Sequence, residues 1–214
     1  MTTGCYGALP PALGESTEVL KPHAVGVTFA GGAGGVASTG NLNGSAVALG
    51  EARVRIGVVG GQEIGASGFA GASLTNPPYF IFGGAISYKA APLEWLAFVL
   101  RAGVIGDVSV PVFSADLAVI VAPYTGKDGT QLFSGLRGGV GIPVASGVQA
   151  STETFNVPVG LSFHSGGDVR VIVEGGLVVA FSQEYVTDPP PTGTHRSSPW
   201  LGGYGAVAVQ VILR

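Results

Sequence analysis

Residues 153–164, ETFNVPVGLSFH, divide their side chains between two parities. Phe155, Val157, Val159, Leu161 and Phe163 fall on one, and Asn156, Pro158, Gly160, Ser162 and His164 on the other. Successive side chains of a β-strand point to opposite faces, so the pattern predicts a strand with one greasy face and one small or polar face. The same alternation marks about ten segments, roughly 23–31, 50–59, 62–70, 79–90, 94–104, 108–121, 131–143, 153–164, 168–182 and 199–213. In the last, Leu201, Val207, Val209, Val211 and Leu213 oppose Trp200, Tyr204, Ala206, Ala208 and Gln210. A chain built this way has to turn all of its greasy faces inward or all of them outward.

A soluble sandwich or barrel turns them inward and covers the other face with Lys, Glu, Asp and Thr. Here the other face is mostly Gly, Ala and Ser, and only 11% of the chain is charged, where an ordinary soluble domain has about a quarter. The 37 Gly and 14 Pro favour strands and turns over helices. Despite a mean hydropathy of +0.48, no apolar run reaches the roughly 18 residues of a membrane helix. The nearest, residues 95–105, is broken by Arg101 and ended by Gly106-Asp107.

The charges bear on the choice, although a strand of a soluble barrel also segregates charge from its apolar face. Glu51, Arg53 and Arg55 share a parity opposite Val54, Ile56 and Val58. Lys89 lies opposite Tyr88, Ile86 and Phe82, and Arg101 opposite Leu96, Phe98 and Leu100. Asp116 lies opposite Leu117 and Phe113, and Arg137 opposite Leu136 and Val140. Arg170 and Glu174, four residues apart, avoid the face of Val169, Val171, Val173 and Leu177. A charge facing mid-membrane lipid costs about 2–4 kcal/mol, so a lipid-facing wall demands this segregation. The chain is therefore expected to be all-β, an antiparallel up-and-down transmembrane β-barrel of about ten strands, within a range of eight to twelve.

Connection lengths give a second test, because bacterial membrane barrels alternate short turns with longer outer loops. GGQ, APLE and HSGGD are short, whereas 31–45, 71–78, 145–152 and 183–198 are long and rich in Gly, Pro, Ser and Thr, and all four long ones fall at one end. Connections 105–107 and 122–130 depart from the rule. The parity places both termini at the short-turn end.

EARVRIGVVGGQEIGASGF reads as one hairpin, ISYKAAPLEWLAFVLRAGV as a second, and GYGAVAVQVIL as a closing strand. On these repeated units the chain resembles the outer-membrane β-barrel proteins of Gram-negative bacteria, especially small porin-like barrels, over roughly residues 22 to 214. The resemblance implies residence in the bacterial outer membrane with periplasmic termini, and aromatic girdles to which Trp95, Trp200, Tyr79, Phe80 and Tyr185 would contribute. Such barrels end on an aromatic residue, whereas this sequence ends Leu213-Arg214. Pro111 and Pro158 inside strand-like runs lack a ladder N–H and call for bulges or edge positions.

Residues 1–22 form an N-terminal extension ahead of a barrel domain at 23–214. The one cysteine, Cys5, follows Gly4 as a lipidated cysteine follows a small residue, and a lipoprotein-type anchor and an ordinary unpaired thiol both remain open. The net charge of −3 provides no basic stripe for nucleic acid. His23, His164 and His195 lack metal-ligand spacing, and no cofactor motif or catalytic set stands out; Asp116, Ser162 and His164 are weak catalytic candidates.

Three functions follow. The first is a non-enzymatic structural or narrow pore-type barrel in the lipid bilayer, with Arg53, Arg55, Lys89, Arg101, Arg137 and Arg170 facing Glu51, Glu63, Asp116 and Glu174 in the lumen. Six cations against four acids favour a small anion as any solute. The second is a soluble or secreted lipocalin-like barrel binding an apolar ligand. The third is a barrel subunit docking a protein partner in an envelope assembly through loops 31–45 and 183–198.

Overall fold

The computed structural model describes residues 14–38, 44–73, 78, 80–106, 111–143, 149–165, 168–185, 194–196 and 199–213. The strands are β1 (Val25–Ser38), β2 (Gly44–Gly57), β3 (Gln62–Ser73), β4 (Phe80–Leu93), β5 (Leu96–Gly106), β6 (Pro111–Thr125), β7 (Gln131–Pro143), β8 (Gln149–His164), β9 (Val169–Tyr185), β10 (Thr194–Arg196) and β11 (Trp200–Leu213). Ten of them pair antiparallel with their neighbours, and β11 pairs with β1, closing the sheet into a barrel; β10 only extends the tip of β9. Closure leaves no open edge within the wall, as a hydrocarbon environment requires.

The strands are staggered. Following paired residues from Ala208 through β1 to β5 reaches Val112 of β6, while following them the other way through β9, β8 and β7 reaches Thr125. The two arrivals lie 13 positions apart (125 − 112) on one strand, the offset that tilts the strands of a closed barrel against its axis.

Each of the ten strand-like segments read from the alternation forms a strand, and most run further than the sequence pattern showed. The glycine-rich stretch 31–45 is the clearest difference. Residues 31–38 continue β1 and 44–45 begin β2, leaving 39–43 outside the described residues. A Cβ on Gly34 would stand 2.7 Å from the Tyr204 Cβ, and one on Gly202 would strike the Gly35 carbonyl. Glycine there serves close strand approach, where sequence reading took it for loop punctuation. The stretch 183–198 likewise contributes to β9 and β10, and its remainder is outside the described residues.

Proline explains the irregularities. Pro92 and Pro123 sit within the two register shifts, between Ala90 and Leu93 in β4 and between Val121 and Tyr124 in β6. Lacking an N–H, each is accommodated where the ladder slips by one residue. Pro111 opens β6, and Pro158 takes neither a bulge nor an edge. Its pairing with β9 continues at Gly176, while the ladder to β7 is interrupted between Val159 and Asn156. The Ser134 hydroxyl donates to the Pro158 carbonyl at 2.9 Å. The long connection expected at 122–130 shrinks because β6 runs to Thr125, leaving a turn closed by the Gly126 N–H on the Thr130 carbonyl at 2.7 Å. In that turn the N–H and hydroxyl of Thr130 both bond Asp128 and hold its carboxyl below the usual range.

The greasy faces point outward. Phe29, Ile86, Leu100, Leu117, Leu136, Val159 and Leu177 are exposed, as are most large apolar residues on their parity. Of the eleven charged strand residues whose side chains are described, ten face inward; the exception, Glu153, lies near the loop end of β8. Trp95 and Tyr124 are exposed at the turn end and Phe80 at the loop end, while the side chains of Tyr79 and Tyr185 lie outside the described residues. The lipocalin-like alternative required the reverse orientation.

Inside, Phe69, Ala85, Ile105 and Val112 form one apolar cluster. Val99, Ala118, Ile120, Ala122, Phe133, Ile172 and Ala208 form another. Placing Arg at the outward position Leu117 should destabilise the lipid-folded barrel by about 2–4 kcal/mol. Denaturant titration of the protein folded into vesicles measures this.

Candidate functional site: a charged lumen holding the N-terminal segment

The charged wall residues occupy successive rows of the ladder. Glu63 is the direct partner of Lys89, whose row continues through Val99 and Ala118 to Arg137 and Asn156. Arg101 is the direct partner of Asp116. Arg170 shares a row with Gln210, Thr28 and Arg53. Opposite charges facing each other across a strand pair stabilise one another, and the tilt of the rows winds them round the lumen.

All ten residues singled out in the sequence are buried: Glu51, Arg53, Arg55, Glu63, Lys89, Arg101, Asp116, Arg137, Arg170 and Glu174 range from 1% to 6% exposed. Arg53 reaches Glu51 at 2.9 Å and Arg55 reaches Glu63 at 2.7 Å. Arg101 lies 3.5 Å from Glu51 and 3.9 Å from Asp116, which Arg137 approaches to 3.6 Å. Arg170 and Glu174 do not pair with each other. Arg170 donates to its cross-strand neighbour Gln210 at 3.2 Å, and Glu174 accepts from the Tyr204 hydroxyl at 2.6 Å.

Sequence reading missed what fills the space between the walls. Residues 14–24 leave the start of β1 at the short-turn end and run into the lumen, where Glu15, Ser16, Thr17 and Leu20 are as buried as the wall charges. The chain reverses at His23, whose φ is 67° and whose N–H bonds the Gly57 carbonyl. The Leu20 N–H donates to Glu63 at 3.0 Å, and the Thr17 hydroxyl donates to the Glu94 carbonyl at 2.9 Å. Lys89 donates to the Glu18 carbonyl at 2.6 Å, and the Glu18 carboxylate pairs with Arg170 at 2.6 Å. Glu15 pairs with Arg53, lies 3.6 Å from Arg55 and lies 3.5 Å from Lys89.

The wall is shaped to admit the segment. A Cβ on Gly57 would collide with the Lys21 carbonyl, and one on Gly26 would come within 3.1 Å of Leu20 Cδ1. Both glycines stand on the inward face where Leu20 and Lys21 pass. Charge fits as well: the wall's six cations and four acids become six and six once Glu15 and Glu18 are counted. That imbalance was the sequence signal for the segment's place, since GESTEV supplies two acids immediately ahead of the first strand.

No family model and no curated protein matches the sequence. Among solved structures the chain is similar to the translocator domain of the autotransporter NalP from Neisseria meningitidis, at a TM-score of 0.50 and 10% identity, covering 91% of this chain and 90% of that one. The chain has the fold of an outer-membrane β-barrel. The barrel also aligns with the outer membrane protease OmpT from Escherichia coli, at a TM-score of 0.39 and 11% identity, over 92% of this chain and 99% of that one. A fold carries no activity with it.

Cys5 lies outside the described residues, as does His195 in its side chain. Ser162 and Asp116 are both buried on the inward face, Asp116 beside arginines, and His164 sits at the turn end of β8. Among the described residues no cluster of three metal-ligating side chains occurs.

If Gly26 and Gly57 make room for the segment, Gly57→Val should displace it without altering any charge. A Glu-specific protease, which the wild-type lumen shields from Glu15 and Glu18, should then cleave the variant about tenfold faster while the strands stay intact.

Proposed function

We propose that the protein is a non-enzymatic barrel of the narrow pore type, resident in the bacterial outer membrane and held shut by its own N-terminal segment. The observation that carries this reading is residues 15–20 inside the lumen, bonded to β2, β3, β4, β7 and β9 from within. Ten strands leave a bore wider than the side-chain-filled interior of about eight, and a peptide segment fills the difference. The exposed girdle and outward aliphatic face suit a bilayer, with the short turns and the N-terminal end on the periplasmic side. Glu51 and Glu63, two of the interior acids, are tied to cations, which supports a non-enzymatic role. With the segment withdrawn, the wall would hold two more cations than acids and would pass anions.

Planar-bilayer recording tests this. The wild-type barrel should be closed, and Glu15→Lys with Glu18→Lys, which sets like charges against Arg53 and Arg170, should open it with a reversal potential on the chloride side. Adding Arg53→Glu to Glu15→Lys should restore closure, an outcome that general destabilisation does not produce. A wild-type barrel that conducts freely, or a double variant that stays shut, contradicts the reading. Heat-modifiable migration on a gel confirms that each variant is folded.

A further inference from the structure

We infer that the Arg53–Arg55–Lys89 cluster is a binding site for a phosphate-bearing small solute, and that Glu15 occupies it as an internal competitor. This rests on the closed-pore reading above. Three cationic side chains on two strands, β2 and β4, converge on one carboxylate that belongs to the inserted segment and not to the wall. The wall itself brings two carboxylates to these three cations, Glu51 on Arg53 and Glu63 shared between Arg55 and, at 3.8 Å, Lys89.

Glu15 is also a poor geometric match. Its Oε1 is taken by Arg53, so its Oε2 is shared between Arg55 at 3.6 Å and Lys89 at 3.5 Å, both beyond ordinary hydrogen-bond length. A tetrahedral oxyanion offers one oxygen to each cation. Two further groups stand ready on the same wall. The Arg55 Nε–H is buried and has no acceptor among the described residues, and the Thr28 hydroxyl lies 3.5 Å from Arg55 Nη2. Two guanidinium forks and an ammonium are the donor set that phosphate recognition uses, the forks supplying geometry and the lysine a point charge. The site lies inside a closed wall, so a free solute is the occupant, reaching it through the lumen.

A ligand that can bind only when the segment is out has its apparent affinity reduced by the fraction of open barrels. Substituting Glu15→Gln in the full chain removes the competing charge and leaves the three cations in place. By isothermal titration calorimetry in detergent, inorganic phosphate should bind Glu15→Gln about tenfold or more tighter than the wild type, and about tenfold tighter than acetate binds the same variant. Adding Lys89→Met should abolish the gain. Phosphorus NMR line broadening of inorganic phosphate gives the same ranking without relying on heats. Equal binding by wild type and Glu15→Gln, or equal binding of phosphate and acetate, overturns the assignment. Either result leaves the bilayer recordings unchanged, so the site can fail while the closed pore stands.

Discussion

Neutralising charge in a confined lumen is the constraint on which the rest of this structure depends. Putting Arg53, Arg55, Lys89, Arg101, Arg137 and Arg170 inside a narrow barrel removes them from water, and an unpaired buried charge costs several kcal/mol. Facing them outward would be no cheaper, because the outer face meets lipid. The wall supplies four acids for six cations, and residues 14–20 supply the other two. The inserted segment is thus part of the electrostatic design of the interior. The inward Gly26 and Gly57 give it space, and Glu63 gives it a backbone partner at Leu20.

The same arrangement inverts the usual placement of apolar side chains. Large aliphatic and aromatic residues cover the outside, while small residues let charged and polar side chains interlock within. Two apolar clusters around Phe69 and Phe133 remain inside, interleaved with the charges, since Val99 and Ala118 share a ladder row with Lys89 and Arg137 and Phe69 pairs with Glu51. Ile172, which stands on the same inward face as Arg170 and Glu174, belongs to the second cluster.

Most of the wall was legible in the sequence because its signal is local. Period-two alternation fixes which residues share a face, and the parity of Arg53, Lys89, Arg101 and Glu174 placed each of them inward before any pairing was known. Strand ends were less legible. Glycine in β1 looks like a loop until the approach of Tyr204 and Gly202 explains it, and Pro123 looks like a terminator until the register shift around it is seen. The inserted segment was the least legible feature. GESTEVLKP has no periodicity, and its place depends on contacts with residues 38 to 152 positions away, from Glu15–Arg53 to Glu18–Arg170. Only the excess of two cations pointed to it.

Hydrogen–deuterium exchange on the full-length protein folded into lipid vesicles, read across residues 14–24, tests the occupancy of the lumen most directly. A seated segment predicts that the amides of 17–20 exchange on the slow timescale of the β2 and β4 strands and speed up in Glu15→Lys with Glu18→Lys. Exchange of 17–20 at the rate of a free chain, with the strands still protected, would contradict it.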